Sequence, residues 1–263
     1  MLRLLSFLFL VSAFFSCLPE KTALERALRE AGDNRMELEK VLAYYRDDTL
    51  KYQAACFLIE NMPDQYAVLP LDSTDTYARA LLSLDKEDPV SWEISRSLVA
   101  AVFDSISKIQ PESRIKIVRD IEVMTSDYLI ENIESAFKVW NRRGVAKHYS
   151  FDDFCSYVLP YRVAHEPLSH WRRTALQRYG HWLDSLNAPQ DIARSIAMRY
   201  PVRYNAGMTK YPYIMSYEEM DSLQWGTCDD MTAFLTLSLR AIGIPAATDV
   251  VKAWANRSSA HCW

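Results

Sequence analysis

The sequence is poor in glycine and cysteine and carries no surplus of positive charge. Only 6 glycines occur in 263 residues, and none falls in a G-x-G-x-x-G or G-x-x-x-x-G-K pattern. Those patterns let backbone amides close on a pyrophosphate, so their absence speaks against a dinucleotide or P-loop site. Five cysteines are too few for a disulfide scaffold of this length. Lys and Arg number 30 against 34 Asp and Glu, a net charge of −4, which leaves no electrostatic footprint for nucleic acid. After residue 17 no apolar run approaches the roughly 20 residues that a membrane-spanning helix needs. What remains, 49% hydrophobic and 24% charged residues, is the composition of a globular chain long enough to bury a substantial core.

The N-terminus has its own pattern. Arg3 is followed by residues 4–15, apolar except at Ser6 and Ser12, and then by Ser16 and Cys17. A basic start, about a dozen apolar residues and a small residue before the cut predict a secretory signal over residues 1–16. The Phe14-Phe15-Ser16-Cys17 ending resembles a bacterial lipoprotein signal, in the loose form of Bacteroidetes-type bacteria. The resemblance implies that Cys17 becomes the first mature residue and carries lipid. It also implies a chain secreted across the inner membrane and anchored in the cell envelope, at a periplasmic or outer-membrane surface. Ordinary signal cleavage to a soluble periplasmic chain is the alternative.

Residues 22–140 follow a helical period. Leu38, Val41, Leu42 and Tyr45 stand at i, i+3, i+4 and i+7, and Ala54, Phe57, Leu58 and Met62 form a second stripe closed by Pro63. Further helices are predicted over 74–84, 90–106 and 126–140, the last with Ser126 as its N-cap. Helices over 151–163, 169–186 and 189–199 follow, with Pro160 ending the first and Pro189 in the first turn of the third. Residues 201–217 read as an irregular, tyrosine-rich loop of the kind that lines a cleft. A short helix over 215–223 and a turn at 224–227 lead to a helix over 228–242. That helix carries Met231, Phe234, Leu235, Leu239 and Ile242 on one face and Gly243 at its C-terminal cap. A strand over 247–254, a turn at 256–259 and a strand from 260 complete the pattern. The expected class is α+β: a helical N-terminal region (17–150), then a domain (151–263) in which a central helix packs on an antiparallel sheet.

Chemistry concentrates near the end. Cys228 opens the 228–242 helix, where unpaired backbone N–H groups and the positive end of the helix favour a thiolate. The same N–H groups suit an oxyanion, and Gly226 allows a sharp turn just before. Asp229 and Asp230 suit the helix dipole but oppose a thiolate, which calls for a cationic partner. His261, on the strand after the turn, is the candidate, and a thiolate–imidazolium pair supplies nucleophile and proton donor together.

Three segments in order carry a resemblance: Gly226-Thr227-Cys228-Asp229-Asp230, then 239–246 (LRAIGIPA), then His261-Cys262-Trp263, with 33 residues from cysteine to histidine. They resemble the core of the transglutaminase-like superfamily, over roughly residues 190–263. A softer likeness joins residues 151–163 (FDDFCSYVLPYRV) and His165-Glu166-Pro167-Leu168 to the segment before that core in bacterial transglutaminase-like lipoproteins. The resemblance implies a papain-like core and a Cys-His-Asp triad, with Cys228 as nucleophile and His261 as base. The family's acid follows the histidine on the next strand. No residue of this sequence takes that role, so the core is read as truncated after the His-x-Trp strand.

Other residues are open to two readings. Trp225 and Trp263 either wall the cleft or pack in the core. Gln224 is a candidate oxyanion donor, although its offset from Cys228 departs from the papain arrangement. Arg240 reads as a helix-end charge near the terminal carbonyls. His165 and His170 stand five apart around Pro167, which does not place two imidazoles on one helix face, so no metal site is expected. Cys56, Cys155 and Cys262 are expected to be mostly buried thiols, with strand alternation turning Cys262 away from the side that His261 faces. Trp171-Arg172-Arg173 reads as a small charged surface.

The function expected from this pattern is acyl transfer at amide bonds of a peptide or protein substrate. Hydrolysis by a thiol peptidase or amidase comes before crosslinking, and no cofactor is required. The alternative is a non-catalytic transglutaminase-like module that binds peptide or glycan at the cell envelope.

Overall fold

A computed structural model of the chain describes residues 22–70, 76–83, 92–109, 115–140, 142, 149–184, 188–199, 201–211, 214–253 and 260–262. The expected leader with Cys17, the 256–259 turn and Trp263 lie outside the described residues. In chain order the elements are α1 (Ala23–Glu30), α2 (Arg35–Tyr44), α3 (Thr49–Glu60), β1 (Tyr66–Pro70), α4 (Thr76–Leu82), α5 (Trp92–Ile109) and β2 (Ile115–Arg119). Next come α6 (Asp120–Val123), α7 (Ser126–Trp140), α8 (Phe151–Tyr157), α9 (Trp171–Tyr179), α10 (Pro189–Met198), β3 (Arg203–Tyr204) and α11 (Tyr217–Leu223). The last four are β4 (Trp225–Gly226), α12 (Cys228–Ala241), β5 (Val250–Val251) and β6 (His261–Cys262). The fold is mixed and helix-rich. Among the described residues its strands form three two-stranded sheets: β1 with β2 antiparallel, β3 with β4 parallel, and β5 with β6 antiparallel. No described helix is long and apolar enough to cross a membrane.

The helical stripes bury as their spacing predicts. Leu38, Val41 and Tyr45 of the first, and Ala54, Leu58 and Met62 of the second, are buried in one cluster with α1, α6, α7 and α8. The strands β1 and β2 were not expected inside this helical region. Residues 115–119 (IKIVR) are β-branched at three of five positions, yet they need a distant partner, with Tyr66 opposite Arg119 and 53 residues before it, to become a strand. Helix α7 has the expected bounds but another cap: Thr125 Oγ1 accepts the Tyr128 N–H at 3.3 Å. Ser126 instead donates its N–H and hydroxyl to Glu37 Oε2, at 2.8 and 2.7 Å.

A second cluster surrounds α12 and draws in α4 and α5 through Tyr77, Leu81, Val99 and Phe103. Phe154, Cys155, Val158, Leu159 and Tyr161, by contrast, belong to the first cluster. The two clusters therefore interleave along the chain. The 201–217 stretch is less a surface loop than expected, since Val202, Asn205, Gly207, Met208 and Met215 are buried.

The segment 157–166 runs irregularly between the clusters, and buried arginines satisfy its carbonyls. Arg172 donates to the carbonyls of Val158 (2.5 Å) and Leu159 (2.9 Å), and to Asn132 Oδ1 (2.6 Å). Arg240 reaches the carbonyls of Tyr157, Ala246 and Arg162 at 2.9–3.1 Å. Arg162 forms a two-pronged pair with Asp120, at 2.7 and 2.6 Å. A charged donor on a buried carbonyl replaces the ladder that Pro160 denies to this segment. Arg172 is thus no surface charge, as its neighbour Arg173 is. Arg240 does not cap its own helix but fastens α12 to residues 157–162. Burial pulls the Arg172 guanidinium down to about 9 and that of Arg240 to about 10.

Candidate functional site around Cys228

The turn into α12 is built residue by residue. Helix α11 begins with a capping box in which Ser216 and Glu219 bond reciprocally. It ends at Gln224, whose φ of +58° is left-handed and unusual for a residue other than glycine. Gln224 is exposed and serves as the helix C-cap, its carbonyl accepting the Arg203 N–H at 2.8 Å. Trp225 and Gly226 then pair with Arg203 and Tyr204, a parallel bridge where a simple turn was expected. Trp225 is half-buried and packs against the α12 cluster.

Thr227 caps α12. Its N–H and hydroxyl both donate to Asp230 Oδ2 at 2.8 Å, and its Oγ1 accepts the Asp230 N–H at 3.4 Å. Asp230 is thereby spent on the cap. Burial nonetheless pushes its carboxyl above the usual range, against the pull of the Thr227 bonds. Gly226 is required by contact more than by conformation. A Cβ there would lie 2.7 Å from the Asp230 Cβ, and its φ is not among the positive ones.

Cys228 is the first residue of α12 and is half-buried. The Asp230 N–H is taken by Thr227, so the N–H groups of Cys228 and Asp229 are those left at the helix head without an intrahelical acceptor. The far end of this helix is held by Arg240 and by Gly243, whose φ is +80°. Its middle is held by Phe234, stacked on Tyr217 with ring centroids 4.2 Å apart.

The ribbon β5–β6 abuts this helix head. Its register sets Val250 opposite Cys262 and Val251 opposite His261. Cys262, expected to face away, is the residue whose side chain meets the helix. Its thiol donates to Asp229 Oδ1 at 2.7 Å, while Cys228 Sγ lies 3.9 Å from the same oxygen. The sulfurs of Cys228 and Cys262 and an Asp229 carboxylate oxygen lie within 4.8 Å of one another. His261 is half-buried, one residue along β6, and is not a member of that group. Alternation turns neighbouring side chains of a strand to opposite faces. The expectation had the right rule and the wrong phase, because the phase depends on a register set by a long connection.

Burial, and then the Asp229 carboxylate, push the Cys262 thiol up to about 12. These three side chains are the described ones that could hold a metal ion, a soft set of two sulfurs and one oxygen. Cys56, Cys155, Cys228 and Cys262 are all free thiols. His165 and His170 are engaged separately: His165 stacks on Tyr66 with centroids 3.9 Å apart, and His170 Nδ1 lies 2.9 Å from Glu131. A shallow depression between α7 and α9, lined by Tyr128, Glu131, Asn132 and His170, contains none of the α12 head residues. No family model, curated protein or solved structure matches the chain.

Proposed function

We propose that the chain is a thiol enzyme acting on amide bonds, built on a papain-like, transglutaminase-like core, with Cys228 as nucleophile and His261 as base. Cys228 Sγ attacks the carbonyl carbon of a peptide or protein substrate. The developing oxyanion is met by the free N–H groups at the head of α12. His261 delivers a proton to the leaving amine, and the thioester passes its acyl group to water in preference to a second amine. Export and anchoring through a lipid on Cys17 would set this chemistry in the cell envelope.

The observation that carries the reading is a half-buried thiol at the first position of a 14-residue helix whose head is abutted by the strand that bears His261. The test is alkylation of the reduced protein with iodoacetamide near neutral pH. Fast labelling at residue 228, abolished in Cys228→Ala and slowed at least about 10-fold in His261→Ala, is expected. Slow labelling that ignores His261→Ala would remove the enzyme reading. The mass of the mature N-terminal peptide tests the lipid on Cys17.

Two observations favour a second reading, a non-catalytic module that binds peptide or glycan. The acceptor that Cys228 Sγ faces is the Asp229 carboxylate, which opposes a thiolate, and the β6 side chain that meets the helix head is Cys262, not His261. The same alkylation experiment separates the two.

A further inference from the structure

The mechanism above leaves unused a second thiol that stands beside the nucleophile. Cys262 is 3% exposed, and its S–H donates to Asp229 Oδ1 at 2.7 Å. Cys228 is the more open of the two, and all three groups lie within 4.8 Å of one another. The sulfurs are therefore unequal. One is reachable from solvent at the first position of α12. The other is shielded, keeps its proton and holds a carboxylate base in hand. Cys56 and Cys155 sit on α3 and α8 and take no part.

We propose that Cys228 and Cys262 form a reversible disulfide, with Cys228 oxidised first by a hydroperoxide and Cys262 closing the bond with Asp229 as its proton acceptor. In the first step the Cys228 sulfur attacks one oxygen of the hydroperoxide. The O–O bond breaks, sulfur gives up two electrons, and a sulfenic acid forms as water or an alcohol leaves. In the second step Cys262 Sγ attacks Cys228 Sγ and passes its proton to Asp229. The S–O bond breaks, and the departing hydroxide takes that proton and leaves as water. The sulfurs close to about 2 Å, and a thiol reductant reverses the bond. This gives Asp229 a use, although it stands badly beside a lone thiolate.

The inference deepens the proposed function, since a disulfide would switch its nucleophile off, but the pair of thiols does not depend on that function. A soft divalent cation could draw on the same three atoms. The Asp229 carboxylate is placed to take the Cys262 proton in either case, and the experiment below separates the two.

The experiment uses the full chain, reduced, desalted and treated with stepwise equivalents of hydrogen peroxide. Samples are quenched with iodoacetamide, or with dimedone to trap sulfenic acid, and their peptides are mapped. Wild type is expected to yield a 228–262 cross-linked peptide two hydrogens lighter than its reduced parts, restored by dithiothreitol. Cys262→Ala should instead give a dimedone adduct at residue 228, and Asp229→Asn should slow closure at least about 10-fold. A wild-type dimedone adduct as abundant as that of Cys262→Ala would overturn the proposal. So would one equivalent of zinc retained by reduced wild type and lost in Cys262→Ala. Should Cys262→Ala fail to fold, the wild-type map alone decides. Absence of the cross-link with His261-dependent alkylation intact removes this inference alone. A cross-link with alkylation that ignores His261→Ala removes the proposed function alone.

Discussion

Gly226 and Asp230 stand so close that a Cβ on the glycine would lie 2.7 Å from the Cβ of the aspartate. The contact lets the Asp230 carboxylate fold back onto Thr227, and so fixes where α12 begins and where Cys228 points. In Gly226→Ala the capping box has to open or the β3–β4 bridge has to shift. A loss of about 1–3 kcal/mol in urea unfolding is expected, together with altered alkylation of Cys228. Unchanged stability would mean that the backbone relaxes around the new methyl at no cost.

Thr227→Ala removes the cap itself. A loss of about 1 kcal/mol is expected, with Thr227→Ser restoring most of it. The loss should depend on pH. Asp230 has a raised folded-state pKa, so its contribution is greatest below the ordinary carboxylate range and falls as pH rises through the folded value. The Thr227 bonds hold that pKa down, so losing them raises it further and enlarges the penalty at neutral pH. The gap between wild type and variant in urea should narrow as pH falls to about 3.5, near the carboxylate reference, to the part that the Asp230 N–H bond to Thr227 Oγ1 contributes. A gap independent of pH would sink the coupling.

The stability contributed by Glu37 has the opposite sign of pH dependence. The Lys40 ammonium, followed by the Ser126 bonds, holds its carboxyl down to about 2. A depressed carboxylate contributes above its unfolded pKa and loses that contribution as pH falls through the folded one. The advantage of wild type over Glu37→Gln in urea should therefore be full near neutrality and shrink from about pH 4.5 downward. An advantage that stayed constant to pH 2 would contradict the bond set at Ser126.

Arg172 tests the junction between the two cores. In Arg172→Met the carbonyl of Val158 and the Asn132 amide oxygen lose a donor, at about 1–3 kcal/mol for each group left unpaired, while the Leu159 carbonyl keeps the Asn132 Nδ2 donor. A total loss of about 3–5 kcal/mol is expected by chemical denaturation. Arg172→Lys should recover little, since an ammonium does not reproduce the planar fork. Near-wild-type stability of the methionine variant would mean that water reaches these carbonyls.

Much of this molecule was legible before its coordinates. The stripes through Leu38 and Leu58 needed only the 3.6-residue period, because a helix closes its hydrogen bonds within itself. The same locality made the helix bounds at Ser126, Pro189 and Cys228 readable, together with Gly243 at the helix exit. The strands β1 to β4 were missed, because their hydrogen bonds lie outside the segment that carries them. So were the buried arginines: a guanidinium reads as a surface charge until the carbonyls it satisfies are known.

By itself, then, the sequence determined the helices, their faces and the placing of a cysteine at the head of α12. Each of these rests on contacts within a few residues. Only the tertiary structure decided that Cys262 meets Asp229 and Cys228, and that Arg172 and Arg240 lie inside the fold. A strand's facing flips with a shift of one residue, and a buried cation is tolerated only where distant carbonyls converge on it.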